Sequence, residues 1–190
     1  MHIILGSQSP RRQEILSFFK RPFTVCSSGF DESTVIFDGS AINYVETQAK
    51  EKALALKSHS EKAIVLTADT TVSFNNKLFQ KPQDQQEAFL FLKELSGQTH
   101  QVYTGICILY QDTLLLDTEM TKVTFHSLTD TQIHQYINKI DTLDKAGGYA
   151  IQGSGSLIVS KIEGCYYNVM GLPVNTLCRL LKKIGMNLWE

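Results

Sequence analysis

An α/β fold on a mixed β-sheet is what this sequence predicts, and three observations carry that reading. Strand-like runs alternate with helical ones along the chain, starting with HIIL (residues 2–5) and PRRQEILSFFK (10–20). AIVLTAD (63–69) is nearly continuous apolar sequence, the pattern of a strand buried on both faces. HQVYTGICILY (100–110) and TLLLDTEMTKVTFHSL (113–128) are separated only by Gln111-Asp112, as antiparallel neighbours would be. With no repeat, low-complexity tract or obvious linker, residues 1–190 are expected to form a single domain, and a chain of that length can bury a sizeable core.

The elements follow in order. The first helix opens at Ser9-Pro10, a favoured N-cap followed by a residue pre-set for the first helical position. FTVCSS (23–28) reads as a short strand. DGSAINYVETQAKEKALALKS (38–58) reads as a helix capped by Ser40, with Tyr44, Val45, Ala49, Ala53 and Leu56 on its apolar side. TVSFNNKLF (71–79) predicts a hairpin turning at Asn75-Asn76, and DQQEAFLFLKELSG (84–97) a helix closed by Gly97. Thr129 with Gln132 three residues on is a capping box, so a helix starts there. DKAGGYAIQGSGSLIVSKIEG (144–164) is a glycine-rich loop leading into a strand. The last helix, PVNTLCRLLKKIG (173–185), has Pro173 in its first turn and Gly185 just past its end.

Composition removes several classes of function. A net charge of −1 argues against broad electrostatic binding to nucleic acid. No run approaches the length of a membrane span, and MHIIL is too short for the apolar region of a signal peptide. Cys26, Cys107, Cys165 and Cys178 have no CxxC spacing and are expected to be buried free thiols in the reducing cytoplasm.

The chemistry starts at SQSPRR. Arg11 and Arg12 fall in a first helical turn, whose partial positive charge disfavours cations by about 0.3–1 kcal/mol each. A bound polyanion would relieve that cost: free N–H groups at a helix start and two guanidinium forks suit phosphate. Solvent-facing arginines are the alternative. Asp69, placed at the end of AIVLTAD, falls where α/β sheets open their ligand crevice and suits Mg²⁺ or a water molecule, or else merely shapes a turn. Lys81, followed by Pro82, is a candidate phosphate ligand or a solvated loop lysine. Lys145 and Gln152 bracket the glycine loop, and an amide with donor and acceptor faces can read a base edge. Lys52 and Glu32 read as helix surface and loop.

Five motifs occur in one order: SQSPRRQEIL (7–16), TADTTV (67–72) with KPQD (81–84), LSGQTHQVYTG (95–105), DKAGGYAIQG (144–153) and YYNVMGLPV (166–174). That series resembles the Maf family over nearly the whole chain. The resemblance implies a fold similar to the inosine-triphosphate pyrophosphatases, a long mixed sheet in two lobes around a central cleft. It implies a homodimeric nucleoside triphosphate pyrophosphatase that cleaves between the α and β phosphates with Mg²⁺ or Mn²⁺. By the same resemblance Asp69 matches a proton acceptor, with Glu32, Lys52 and Lys81 as polar cleft residues, and Asp69 and Glu32 as candidate metal ligands. Ser7, Ser9 and Arg12 match the phosphate loop. Arg11, Thr70 and Gln152 match positions linked to substrate choice, in the combination of the dTTP/UTP subgroup. The subgroup preferring 7-methyl-GTP usually has tryptophan at the first arginine. Gly6, Thr71, Cys165 and the variant AGGYAIQG depart from common family residues and put fine substrate preference in question. Cleavage of modified nucleotides, or regulation of septum formation by nucleotide binding without turnover, are the competing expectations.

Overall fold

The computed structural model describes residues 1–189. In chain order the strands are β1 (His2–Leu5), β2 (Phe23–Val25), β3 (Ala63–Phe74), β4 (Lys77–Phe79), β5 (Thr99–Tyr110), β6 (Thr113–Phe125) and β7 (Val159–Glu163). The helices are α1 (Pro10–Ser17), α2 (Ala41–Ala55), α3 (Gln85–Leu95), α4 (Asp130–Ile137), α5 (Tyr166–Met170) and α6 (Val174–Lys183). One mixed sheet runs β2-β1-β3-β5-β6-β7, with β4 hairpinned onto β3. β1 lies parallel to both β2 and β3, while β3, β5, β6 and β7 pair antiparallel in succession.

The three long strands thread two lobes. At one end, Ile64 and Leu66 of β3 and Ile106 and Ile108 of β5 pack with Ile3 of β1 and Leu177 of α6. At the other end, Val72, Val102 and Val123 pack with Phe79, Leu92 of α3 and Ile133 of α4. A third, smaller cluster seals α2 to the sheet through Ala49, Ala53, Val65, Cys107 and Leu109. Burying each such leucine or isoleucine stabilises the fold by about 1.5–3 kcal/mol. Between the two main clusters β3 carries Asp69, Thr70 and Thr71, so the polar stretch of the strand coincides with the gap between lobes.

Gly105 explains how α2 reaches that gap. It pairs with Asp69 across β3 and β5, and a Cβ there would lie 2.6 Å from the carbonyl oxygen of Val45. Only glycine lets the helix backbone settle this close to the sheet.

The hairpin forms at Asn75 and Asn76, both with positive φ, a conformation asparagine tolerates better than most residues. The capping box of α4 makes both of its bonds, and Ser40 caps α2 through the amide of Asn43. Several expectations need correction. β3 does not end at Asp69 but continues five residues to Phe74, because its pairing with β5 runs unbroken from Val65 to Ser73. α1 stops at Ser17, before Lys20 turns to φ 52, and β2 stops at Val25. α2 closes at Ala55 and β6 at Phe125. Pro173 is the N-cap of α6 and lies outside its first turn. The glycine loop contains two short 3-10 segments, Ala146–Gly148 and Gly153–Leu157, and the short helix α5 precedes α6. All four cysteines are free, yet only Cys107 is buried.

Candidate active site

The gap between lobes is a cleft of about 640 Å³. Its floor is the polar stretch of β3, and its walls come from the loop before α1, residues around Glu32, Gln80-Lys81 and the 144–152 loop.

Successive residues of β3 face opposite ways, and each face builds a different half of the site. On the α2 face, the Lys52 ammonium lies 2.7 Å from Oδ1 of Asp69 and 2.9 Å from Oε1 of Glu32. Lys52 reads as helix surface in the sequence but is only 5 % exposed, because α2 presses against Gly105. Burial pushes the Asp69 carboxyl above the ordinary carboxylate range, against the opposing pull of Lys52 and Arg12; the Glu32 charge adds to the rise. Partial burial also acts to raise Glu32, but its contact with Lys52 and the charges of Lys52, Lys81 and Arg12 outweigh it and leave that carboxyl low. Two carboxylates therefore meet one ammonium and titrate in opposite directions.

On the other face, Arg12 is held by three neutral oxygens. Its Nε donates to the carbonyl of Gly171 at 2.7 Å, one terminal nitrogen donates to Ser7 Oγ at 3.0 Å, and the other to Thr70 Oγ1 at 3.0 Å. Gly171 reaches this position with φ +107, closing α5 in a left-handed cap. Thr70 is steadied by Thr104, whose hydroxyl also meets the Asn168 carbonyl. A guanidinium has five N–H donors, so this cradle orients Arg12 while leaving two. Burial lowers its pKa; Asp69 and Glu32 oppose that shift, and Arg11 adds to it.

The remaining candidates separate. Arg11 lines the cleft, but its guanidinium pairs with the Asp144 carboxylate at 2.8 Å and the Asp144 carbonyl at 3.2 Å. Lys145 also pairs with Asp144 and donates to the Asp141 carbonyl. Ser9 occupies the N-cap position of α1 without a side-chain cap, and its amide donates instead to Ser7 Oγ. Lys81 lines the mouth and is exposed. Gln152 also lines the cleft, and its amide reaches Glu14 at 3.5 Å. Among the described residues no three His, Cys, Asp or Glu side chains cluster in a metal-binding group. Asp69 and Glu32, both in contact with Lys52, are two carboxylates of the kind that could hold a hard cation shared with phosphate oxygens.

The family model described as Maf-like protein matches residues 2–184. The chain belongs to the Maf family. A Clostridium perfringens (strain SM101 / Type A) relative named dTTP/UTP pyrophosphatase is 46 % identical, covering 99 % of this chain and 100 % of its own. A Chlamydia felis relative with the same name is 43 % identical, covering 99 % and 96 %. A Chlamydia pneumoniae relative named nucleoside triphosphate pyrophosphatase is 43 % identical with the same coverage. Among solved structures, a Staphylococcus aureus Ham1 protein aligns over 97 % of this chain and 100 % of its own at a TM-score of 0.54 and 12 % identity. That likeness is one of fold, and it agrees with the expected two-lobed architecture.

Within this Maf cleft several residues have roles that the sequence reading missed. Asp144 opens the DKAGGYAIQG motif, yet only the structure pairs it with Arg11. Tyr149 forms part of the wall, and its hydroxyl is 2.8 Å from Nε2 of buried His100, whose pKa burial pushes down to about 4. Tyr44, Gln48 and Gln80 form a hydrogen-bonded set beside Glu32. The spacing of 44, 48 and 52 is a legible signal: residues four apart share a helix face, and Lys52 is on that row.

Proposed function

We propose that this chain hydrolyses the α–β phosphoanhydride of dTTP and UTP, giving the nucleoside monophosphate and pyrophosphate. Water adds across the bridging P–O–P bond, one phosphorus gaining the water oxygen and the other leaving with the bridging oxygen. The observation that carries this reading is the charge arrangement on adjacent residues of β3. Arg12 sits among neutral acceptors with its charge unspent, while Lys52 answers two carboxylates with a single ammonium. One half of the cleft is suited to phosphate oxygens and the other to a cation or a water proton. The relatives' names supply the substrate class.

In this reading Arg12, Ser7, Ser9 and Lys81 bind the triphosphate, and Lys52 orients Asp69 by its Oδ1. The other oxygen, Oδ2, has no protein hydrogen bond among the described residues and receives the proton of the attacking water. A raised pKa suits that role better than an ordinary aspartate would. Asp69 and Glu32 would hold Mg²⁺ or Mn²⁺ against the phosphates, which supplies Lewis-acid charge neutralisation. Arg11, Thr70 and Gln152 select the base. The same reading makes the protein a cytoplasmic homodimer acting on free nucleotides.

The test is pyrophosphate release from canonical and modified triphosphates with Mg²⁺ and then Mn²⁺, for wild type and Asp69→Asn. Preferential cleavage of dTTP and UTP, lost in the variant, is expected. A preference for modified bases would overturn the substrate assignment, and nucleotide binding without any cleavage would overturn the enzyme.

A further inference from the structure

Glu32 is presented to the cleft by a segment with few attachments. None of residues 28–37 is buried, and Phe37 meets the ring of Tyr44 on α2 only edge-on, at 6.3 Å between centroids, so apolar packing does little to hold them. Gly29 (φ +65) and Gly39 (φ +97) flank Glu32 on either side in open space. Among the described residues, two polar contacts tie residues 28–37 to the rest of the protein, and both go to α2. One is the Lys52–Glu32 ion pair. In the other, Nε2 of Gln48 donates to the backbone carbonyl of Glu32 itself at 2.8 Å.

Gln48 is 1 % exposed, and the same Nε2 lies 3.2 Å from the Tyr44 hydroxyl, which Gln80 holds from beyond at 2.8 Å. Its Oε1 is buried without a partner. A buried amide with an idle acceptor is present for its donor, since an apolar residue of that size would carry no such penalty. The carbonyl of Glu32 can only accept, which fixes which end of the amide faces it. A long exposed side chain such as that of Glu32 is poorly placed by an ion pair alone.

We propose that Gln48 is a positioning residue for the reaction: by gripping the backbone carbonyl of Glu32 it sets the height of that carboxylate over the Lys52–Asp69 pair. This rests on the pyrophosphatase reading for its catalytic meaning, but the grip itself is testable without turnover.

The experiment compares wild type, Gln48→Leu, Glu32→Ala and the double variant. Amide exchange followed by mass spectrometry is expected to quicken by about tenfold across 28–37 in Gln48→Leu, where the Phe30, Ser33, Thr34 and Val35 amides are hydrogen-bonded. α2 and β3 should keep wild-type protection. With dTTP, kcat should fall by about tenfold and KM by less than about twofold, and adding Gln48→Leu to Glu32→Ala should cost nothing further. Unchanged exchange over 28–37 would overturn the proposal, as would full additivity of the two substitutions. If Gln48→Leu disturbs α2 itself, Gln48→Met, closer in length and also apolar, takes its place. A wild type that releases no pyrophosphate would overturn the functional reading instead, and the exchange result would still decide whether Gln48 holds Glu32.

Discussion

Asp69 and Thr70 are neighbours on one strand, yet they face regions governed by opposite electrostatics. The Asp69 side concentrates charge: two carboxylates converge on a buried ammonium, leaving an excess of one negative charge. The Thr70 side is the reverse, a guanidinium cradled by a carbonyl and two hydroxyls with no carboxylate in direct contact. Neutral acceptors orient a cation without cancelling it, whereas direct ion pairs largely do cancel it. The comparison teaches that one side of the floor keeps its positive charge for a ligand and the other keeps a negative surplus. The proposed metal-bound triphosphate would answer both.

The largest effect should come from breaking the negative half. Asp69→Asn keeps the shape but removes both the surplus charge and the proposed proton acceptor, so kcat for dTTP should fall by about 10²–10⁴-fold, read by pyrophosphate release. Glu32 still answers Lys52 in that variant, so the fold should persist by circular dichroism. Breaking the positive half comes next. Arg12→Lys preserves the charge but cannot hold three acceptors and a phosphate at once. Losing one charge-assisted hydrogen bond of about 1.5–3 kcal/mol predicts a drop of about 10–150-fold in kcat/KM. An equally active lysine variant would show that charge alone matters there and that the Gly171–Ser7–Thr70 cradle is incidental.

Much of the frame was legible in the sequence because it rests on local signals. The apolar run of β3, the two-residue turn between β5 and β6, the asparagine hairpin and the α4 capping box each declare themselves within a few residues. What could not be read is which charges meet. Arg11 and Arg12 are adjacent and chemically identical, yet one is spent on Asp144, 133 positions away, and the other is not. Lys52 reads as surface because nothing local reveals that Gly105 lets α2 sink onto the sheet. Long-range register, not residue type, decides these outcomes. The Arg11–Asp144 pair is half-exposed and worth about 0.2–1 kcal/mol, so Asp144→Asn should change the dTTP-to-dATP ratio of kcat/KM by a factor of only about 1.5–5. A larger shift would mean that the pair with Asp144 holds Arg11 back from the base, and an unchanged ratio that Arg11 has no part in selecting it.

The smallest effect separates the two carboxylates that share Lys52, and it is read in stability. Folding raises the pKa of Asp69, mainly through burial, so its stabilising contribution is fully present below the unfolded value of 3.8 and is lost as pH rises through the folded one. Glu32 is lowered, so its contribution is present above its unfolded value of 4.5 and is lost as pH falls through the folded one. Differences in Tm between variant and wild type cancel the titration of all other groups that the substitution leaves undisturbed. As pH rises from strongly acidic to neutral, the difference for Asp69→Asn should become more positive, while that for Glu32→Gln should become more negative. Differential scanning calorimetry at low salt would register both. If the two differences moved in the same direction, the ammonium would be serving both carboxylates alike. The asymmetry of burial between β3 and the Glu32 segment would then not be what distinguishes the two carboxylates.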